Sequence, residues 1–466
     1  MRESPLRPAS LYGGAFCQPE WRCRLSAPPC WRGRSCCVKG ISMTKSHSLP
    51  VAALLLAAIA MPAAAQLREG EKPSAAQIQA GEAPAVPIPE GETAIRALQS
   101  TATLAPEWTE EAGRDLLAYV ERVGEEGLDP ADYAPERLSA ALAAGDPAAL
   151  KTAATDTFLR LSSDLALGHA RGDDRDDWHL QDPDLDGNEQ WAIMRTAVAN
   201  GSVHDTLNAL LPTHPQYTEL KAVLASTTDA VVRDKVRTNL DRWRWLPRDL
   251  GNRYVIVNVP AFTVALVEDG RVVTRHRAVV GATKTATPQL SAMATGVIFN
   301  PWWEIPKSIE PEVRGKKGYV TVKAGEGVRY RQPPGPNNSL GRMKVVMPNN
   351  YAIYLHDTPA KTLFSREARA FSHGCIRTQN ALDFARILLD NPEWDKAAVD
   401  AAIASGKTVE AKAAVATPVY ITYFTAAAAA DTGGIVKYAD VYGRDQKVVA
   451  ALTDKGATRL ASSASD

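Results

Sequence analysis

The feature that most constrains this chain is a change of hydrophobic period near Arg253. Upstream, from Thr93 to Leu240, apolar residues recur at the three-to-four spacing that lines one face of a helix. In "AGRDLLAYVERVGEEGLD", Leu116, Leu117, Val120 and Val123 keep that spacing, and Gly127 stands where a helix would stop. "DTFLRLSSDLALGHARGD" repeats the pattern with Phe158, Leu161, Leu165 and Leu167. Downstream, "YVIVNVPAFTVALVEDGRVVTRHRAVVG" is rich in β-branched residues and places an Asp269-Gly270 turn between two strand-like runs. One layer cannot serve both periods, so the chain reads as an α+β multidomain protein, a helical domain followed by a mostly-β domain.

The β-half continues through "TGVIFNPWWEIP", "RMKVVMPNNYAIYLHD" and "TPVYITYFT". "NALDFARILLDNPEW" reads as a helix with Leu382, Ala385, Leu388 and Leu389 on one face. Residues 311–340 are rich in Gly, Lys, Arg and Pro and are long for a plain loop, so an inserted lid or capping segment is expected there. The expected boundaries are a helical scaffold domain over 93–240, a catalytic domain over 241–425 and a fraying tail over 426–466.

The N-terminus carries a charged, an apolar and a small-residue stretch in the order of a secretory signal peptide: Lys45, Leu49 to Met61, then Ala63-Ala64-Ala65. The apolar run falls short of the ~20 residues a membrane span requires. A signal peptide is therefore expected over 43–65, a mobile leader over 66–92, and a non-native extension over 1–42. Five cysteines lie before Met43, so Cys375 is alone in the exported chain. A lone thiol in an oxidising compartment calls for a reason. Beyond residue 65 there are 45 Lys and Arg against 51 Asp and Glu, which argues against a nucleic-acid partner.

The chemistry concentrates in "YLHDTPAKTLFSREARAFSHGCIR", which holds His356, Ser372, His373, Gly374, Cys375 and Arg377. A cysteine nucleophile needs a nearby base, because the free thiol is mostly protonated at neutral pH. His356 ends a strand-like run, and a strand followed by a loop can bring Cys375 beside it. Gly374 lets the backbone pack closely and frees amides to face an oxyanion. Arg377 suits a substrate carboxylate or carbonyl. On the residues alone, a buried inert thiol and a metal site made by His356, His373 and Cys375 stay open. The absence of a second cysteine and of a helical HExxH pattern weakens the metal reading. A papain-like peptidase would place its cysteine before its histidine, the reverse of this order.

"SHGCIR", preceded by His356 with sixteen residues between it and His373, resembles the signature of the L,D-transpeptidases, the YkuD-type catalytic domain. "NLDRWRWLP", "NPWWEIP", "PGPNNSLGRMKVVMPNNYAIYLHDTP" and "TPVYITYFT" resemble the long Gram-negative subgroup, in which a helical scaffold domain comes first. The small peptidoglycan-binding module common in that subgroup is not found between "YTELKAVLAS" and "NLDRWRWLP". The resemblance implies a periplasmic enzyme of the Gram-negative envelope acting on peptidoglycan stem peptides, with a tetrapeptide donor and a diamino-acid acceptor, and with partners in cell-wall synthesis. It implies that Cys375 forms a thioester as D-alanine leaves, and that an acceptor amine resolves it to a 3→3 cross-link. It also implies His356 as base, held through its other ring nitrogen by a backbone carbonyl such as that of Asp357. His373 takes an auxiliary role, amides around Gly374 form the oxyanion site, and carbapenems acylate the thiol.

The substrate-binding residues expected are Arg377, Ser372, Tyr354, Trp303 and Asp357; no metal and no cofactor is expected. Trp243 and Trp245 read as domain-junction packing, Trp302 and Trp303 as candidates for the cleft, and "RGDDRDDWH" as a solvated loop. Attachment of an outer-membrane protein, trimming by water, and a non-enzymatic wall-binding scaffold are the alternative functions.

Overall fold

The computed structural model describes residues 105–180, 185–325, 327–429 and 433–454. The expected extension, signal peptide and leader, and the last residues of the tail, lie outside the described residues.

The helical half consists of α1 (Glu110–Arg122), α2 (Pro135–Ala144), α3 (Pro147–Leu167), α4 (Gly187–Asn200), α5 (Val203–Asn208), α6 (Pro215–Ser226) and α7 (Ala230–Arg244). Local chemistry sets the ends. Thr109 caps α1 by accepting from the Ala112 amide, and the chain stops at Gly127 in the left-handed conformation. Proline opens α2, α3 and α6, where its missing N–H costs nothing. Asp186 and Glu189 cap α4 reciprocally. The apolar faces meet in one core around Leu116, Val120, Phe158, Leu161 and Leu165.

The β-half contains β1 (Arg253–Asn258), β2 (Thr263–Glu268), β3 (Arg271–Gly281), β4 (Leu290–Phe299), β5 (Trp303–Glu304), β6 (Val320–Ala324), β7 (Gly327–Gln332), β8 (Met343–Val346), β9 (Leu355–His356), β10 (Ala370–Ser372), β11 (Ile376–Thr378) and β12 (Val409–Thr422). The main sheet runs β10-β3-β11-β9-β8-β4-β12-β1-β2, and β2 also pairs with β3, so the sheet closes on itself. Its inward residues, among them Val257, Val297, Met343, Val345, Leu355 and Ile376, pack with Phe384 and Leu388 of α9 (Ala381–Leu389). Helix α10 (Lys396–Ala404) adds Val399 and Ala402.

Three expectations need correction. First, the insertion is a folded unit and begins earlier than residue 311. β5, β7 and β6 form their own sheet, and Trp303, Tyr319 and Tyr330 pack on Ile305, Ile309 and Val313, with the short α8 (Glu310–Val313) alongside. Residues 333–340 form its neck, tied by the buried Asn338 amide to the carbonyls of Pro301, Gln332 and Pro333. Second, α7 crosses the expected boundary at 240 and joins the halves. Leu240 and Trp243 pack with Tyr254, Tyr420 and Phe424, and Trp243 stacks between His214 and Phe424. Third, residues 426–454 do not fray where they are described. β13 (Ala426–Ala429) pairs with β14 (Gly434–Lys437), and α11 (Asp445–Thr453) returns Val448, Ala451 and Leu452 to the helical core. Asp445 anchors that return by ion pairs to Lys235 at 2.5 Å and to the buried Arg242 at 2.6 Å.

The "RGDDRDDWH" loop is also more than a solvated surface. Trp178 packs on Trp245, and the Asp177 carbonyl and His179 amide bond to Gln289 of the β-half. Asp177 pairs with Arg444 at 2.6 Å.

Candidate active site

The site arises from strand alternation. Met343, Val345, Leu355 and Ile376 point into the core, so Lys344, His356 and Arg377 share the opposite face of β8, β9 and β11. Register sets them in one transverse row, with Lys344 opposite His356 and His356 opposite Arg377. One step back along β9 and β11, Tyr354 and Cys375 form a second row, joined by the hydrogen bond from the Ile376 amide to the Tyr354 carbonyl.

Cys375 is half-buried, and its thiol donates to the Ala352 carbonyl at 3.5 Å. Burial pushes the thiol upward. The Tyr354 amide, the Lys344 charge, the Tyr354 hydroxyl and the Arg377 charge oppose that push. The Tyr354 phenol is raised by burial and by the neighbouring thiolate. Tyr354 neighbours Cys375 across the β9–β11 pairing, Trp303 packs within the insertion beside Tyr319, and Trp302 lies under the Arg331 guanidinium, 4.5 Å from its ring centre.

His356 is buried, and its Nδ1 donates to the Asp357 carbonyl at 2.5 Å. That bond leaves Nε2 as the available base. Burial, then the Arg377 charge, push the imidazole down to about 3, so it is neutral at working pH. Among the described residues no hydrogen bond joins His356 to the Cys375 thiol; the Tyr354 ring lies beside His356, with centroids 5.8 Å apart.

Two of the expected substrate contacts are internal instead. Ser372 is buried; its hydroxyl donates to the Cys375 carbonyl at 2.6 Å and accepts from the Gly374 amide at 3.1 Å. The Gly374 amide is therefore engaged and does not face an oxyanion, while the Cys375 amide has no acceptor among the described residues. Asp357 is buried as well: it accepts from the Arg342 amide and pairs with Lys361, away from the thiol. Gly374 itself sits at φ +114°, and a Cβ there would stand 3.1 Å from the Ile353 side chain, so the motif requires glycine.

His373 turns outward and meets Glu312 of the insertion at 3.1 Å, which ties the motif loop to that unit. Arg377 is half-buried, and its Nε has no hydrogen-bond partner among the described residues. On the helical side, His179 stacks on Tyr351, centroids 4.1 Å apart, next to the Ala352 carbonyl that receives the thiol. A cleft of about 990 Å³ opens beside Asp357, Arg342 and Asp383, but Cys375 does not line it. Sequence reasoning missed Lys344, Glu312 and His179. For Lys344 the alternation around Met343 and Val345 gave the face but not the neighbours.

These features define a cysteine site on one face of a closed β-sheet, with a helical domain bracing one wall. Residues 252–421 match the family model described as the L,D-transpeptidase catalytic domain (YkuD), and residues 93–224 match the Scaffold domain model. The chain thus carries an L,D-transpeptidase catalytic domain of the YkuD type, preceded by a Scaffold domain. It is 28% identical over 303 residues to a Haemophilus influenzae protein named "Putative L,D-transpeptidase", covering 58% of this chain and 60% of that relative's length. Among solved structures, an L,D-transpeptidase from Mycobacterium smegmatis is 18% identical over 37% of this chain and 58% of its own, with a TM-score of 0.22. The ertapenem-acylated catalytic domain of an Enterococcus faecium L,D-transpeptidase is 17% identical over 37% of this chain and 98% of its own, with a TM-score of 0.18.

Proposed function

We propose that this protein is a periplasmic peptidoglycan L,D-transpeptidase that makes 3→3 cross-links. The carrying observation is the Cys375 thiol on the sheet face that also holds His356 and Arg377, within the matched domain. In this reading Sγ attacks the carbonyl between the diamino acid and D-alanine of a tetrapeptide stem. The thiol proton passes to His356 Nε2 and then to the departing D-alanine amine, leaving a thioester. The side-chain amine of a second stem attacks the thioester, gives its proton to His356, and Cys375 is regenerated. A neutral imidazole suits both transfers. Because no bond joins it to the thiol at rest, transfer waits for substrate. Arg377 holds a substrate carbonyl or carboxylate, and the Cys375 amide serves the oxyanion. The insertion acts as a lid, held to the motif loop by the His373–Glu312 contact and slowing hydrolysis of the thioester. Export by the signal peptide at 43–65 places the protein among its substrates. Among the described residues no helix is long and apolar enough to cross a membrane.

The test is mass spectrometry of muropeptides after incubation with disaccharide-tetrapeptide, with Cys375→Ala as control. A dimer lighter by one D-alanine, absent with Cys375→Ala, supports the proposal. Tripeptide alone would make the enzyme a carboxypeptidase on this substrate, and a dimer made by the variant would remove Cys375 from the mechanism. Acylation of Cys375 by a carbapenem, read by intact mass, is expected on the same grounds.

A further inference from the structure

Lys344 has no role in the reading above, yet it stands in the same row as His356 and Arg377. Alternation in β8 turns it away from the buried Met343 and Val345 and onto the face of His356 and Arg377. Its Nζ lies 4.0 Å from the centre of the Tyr354 ring, a cation–π contact that holds the ammonium over the residue that neighbours Cys375 across the β9–β11 pairing. Among the described residues this ammonium makes no hydrogen bond and no ion pair. The acidic group that acts on it besides the thiol is Glu304, whose carboxylate is paired with Arg331 at 2.6 Å.

We propose that Lys344 is the counter-charge of the Cys375 thiolate. The proposal rests on the reading of Cys375 as the reactive thiol. The charged and polar side chains on the face that carries Cys375 are Lys344 from β8, Tyr354 and His356 from the strand carrying β9, and Arg377 from β11. A half-buried thiolate loses hydration and needs a compensating positive charge. His356 does not provide one, because burial and Arg377 keep it neutral to about pH 3. Tyr354 offers dipoles only. Arg377 spreads its charge over a guanidinium, whereas the Lys344 ammonium is a compact point charge held over the Tyr354 ring. When the thiol ionises in the free enzyme, its proton leaves to water, and Lys344 keeps its own three protons. Burial draws the ammonium below the ordinary lysine range, and the thiolate beside it pushes it back.

The experiment is the pH dependence of Cys375 alkylation by iodoacetamide, followed by intact mass, for the wild type, Lys344→Gln and Lys344→Arg, each checked for a native thermal melt. Lys344→Gln is expected to raise the midpoint by about one pH unit or more, slowing alkylation about tenfold below it. Lys344→Arg keeps the charge and is expected to stay near the wild-type midpoint. An unchanged midpoint in folded Lys344→Gln overturns the proposal. So does a Lys344→Arg midpoint displaced by about one unit, which also decides the matter if the glutamine variant does not fold. Alkylation needs no muropeptide. A shifted midpoint without cross-linking would therefore keep this role and remove the transpeptidase reading, while cross-linking with an unmoved midpoint would do the reverse.

Discussion

Replacing Ser372 by alanine separates the two roles that its place in the motif allows. Its hydroxyl is buried, donates to the Cys375 carbonyl at 2.6 Å and accepts from the Gly374 amide at 3.1 Å. Removing it deletes both bonds and leaves the buried Gly374 N–H without an acceptor. An orphaned buried amide costs about 1–3 kcal/mol, of the same order as two net hydrogen bonds. At about 3 °C per kcal/mol for a domain of this size, the melting temperature of Ser372→Ala should fall by roughly 3–9 °C. The same bonds hold the backbone of Cys375, the nucleophile proposed above, and a displacement of ~1 Å at a reacting atom costs about a hundredfold in rate. Acylation of Cys375 by a carbapenem should therefore slow by about ten- to a hundredfold, with binding little changed. Calorimetry and stopped-flow acylation measure the two effects together. A variant that melts like the wild type and loses only substrate affinity would refute this account and make Ser372 a substrate contact.

Three further outcomes follow from the buried charges and the clasp. The imidazoles of His356 and His214 are pushed by burial down to about 3 and about 4, below the ordinary 6.5, so the unfolded chain binds protons that the native state does not. Stability should then fall as pH drops from 6.5 toward 4, by up to about 1.4 kcal/mol per pH unit for each histidine; a urea midpoint that stays flat from pH 7 to pH 5 would contradict it. Asp445→Ala leaves Arg242, 2% exposed, without its carboxylate. A loss of about 3–5 kcal/mol is expected in chemical unfolding, and a loss below about 1 kcal/mol would mean that the pair does not hold α11 in place. Glu312→Gln weakens a half-exposed contact worth at most about 1 kcal/mol. Acylation by a bulky carbapenem should quicken by less than about fivefold relative to alkylation by iodoacetamide, and an unchanged ratio would free the insertion from this contact.

What the sequence made legible was local. The two hydrophobic periods separated the halves because each face repeats within a few residues. The motif grouped His356, Gly374 and Cys375 because the β9-to-β11 return is short. The tail was misread because α11 gains its stability from the core it rejoins, which takes Val448, Ala451 and Leu452, while its start is held from outside the helix by the Asp440 carboxylate, which accepts from the Arg444 and Asp445 amides. Ser372 and Asp357 looked like substrate contacts because polar residues next to a nucleophile usually face the cleft. Whether they do is decided by backbone groups that a sequence does not display, here the Gly374 and Arg342 amides.

The charge around the nucleophile is harder still to read, and Lys344 shows why. Its face followed from the alternation Met343-Lys344-Val345, but a polar residue on a strand is ordinarily turned to water and needs no explanation. It becomes a site residue only because β8 lies antiparallel to β9, which lies parallel to β11, so that residues 344, 356 and 377 fall in one line. A shift of one residue in either pairing would send Lys344 into the core or His356 away from Arg377. That register is enforced on the inner side, where Met343, Leu355 and Ile376 pack against α9. The electrostatics of the thiol therefore depend on hydrophobic residues that never touch it. Substitutions of Leu355 or Ile376 that preserve volume should leave alkylation unchanged, and those that loosen the register should move its pH midpoint before they unfold the domain.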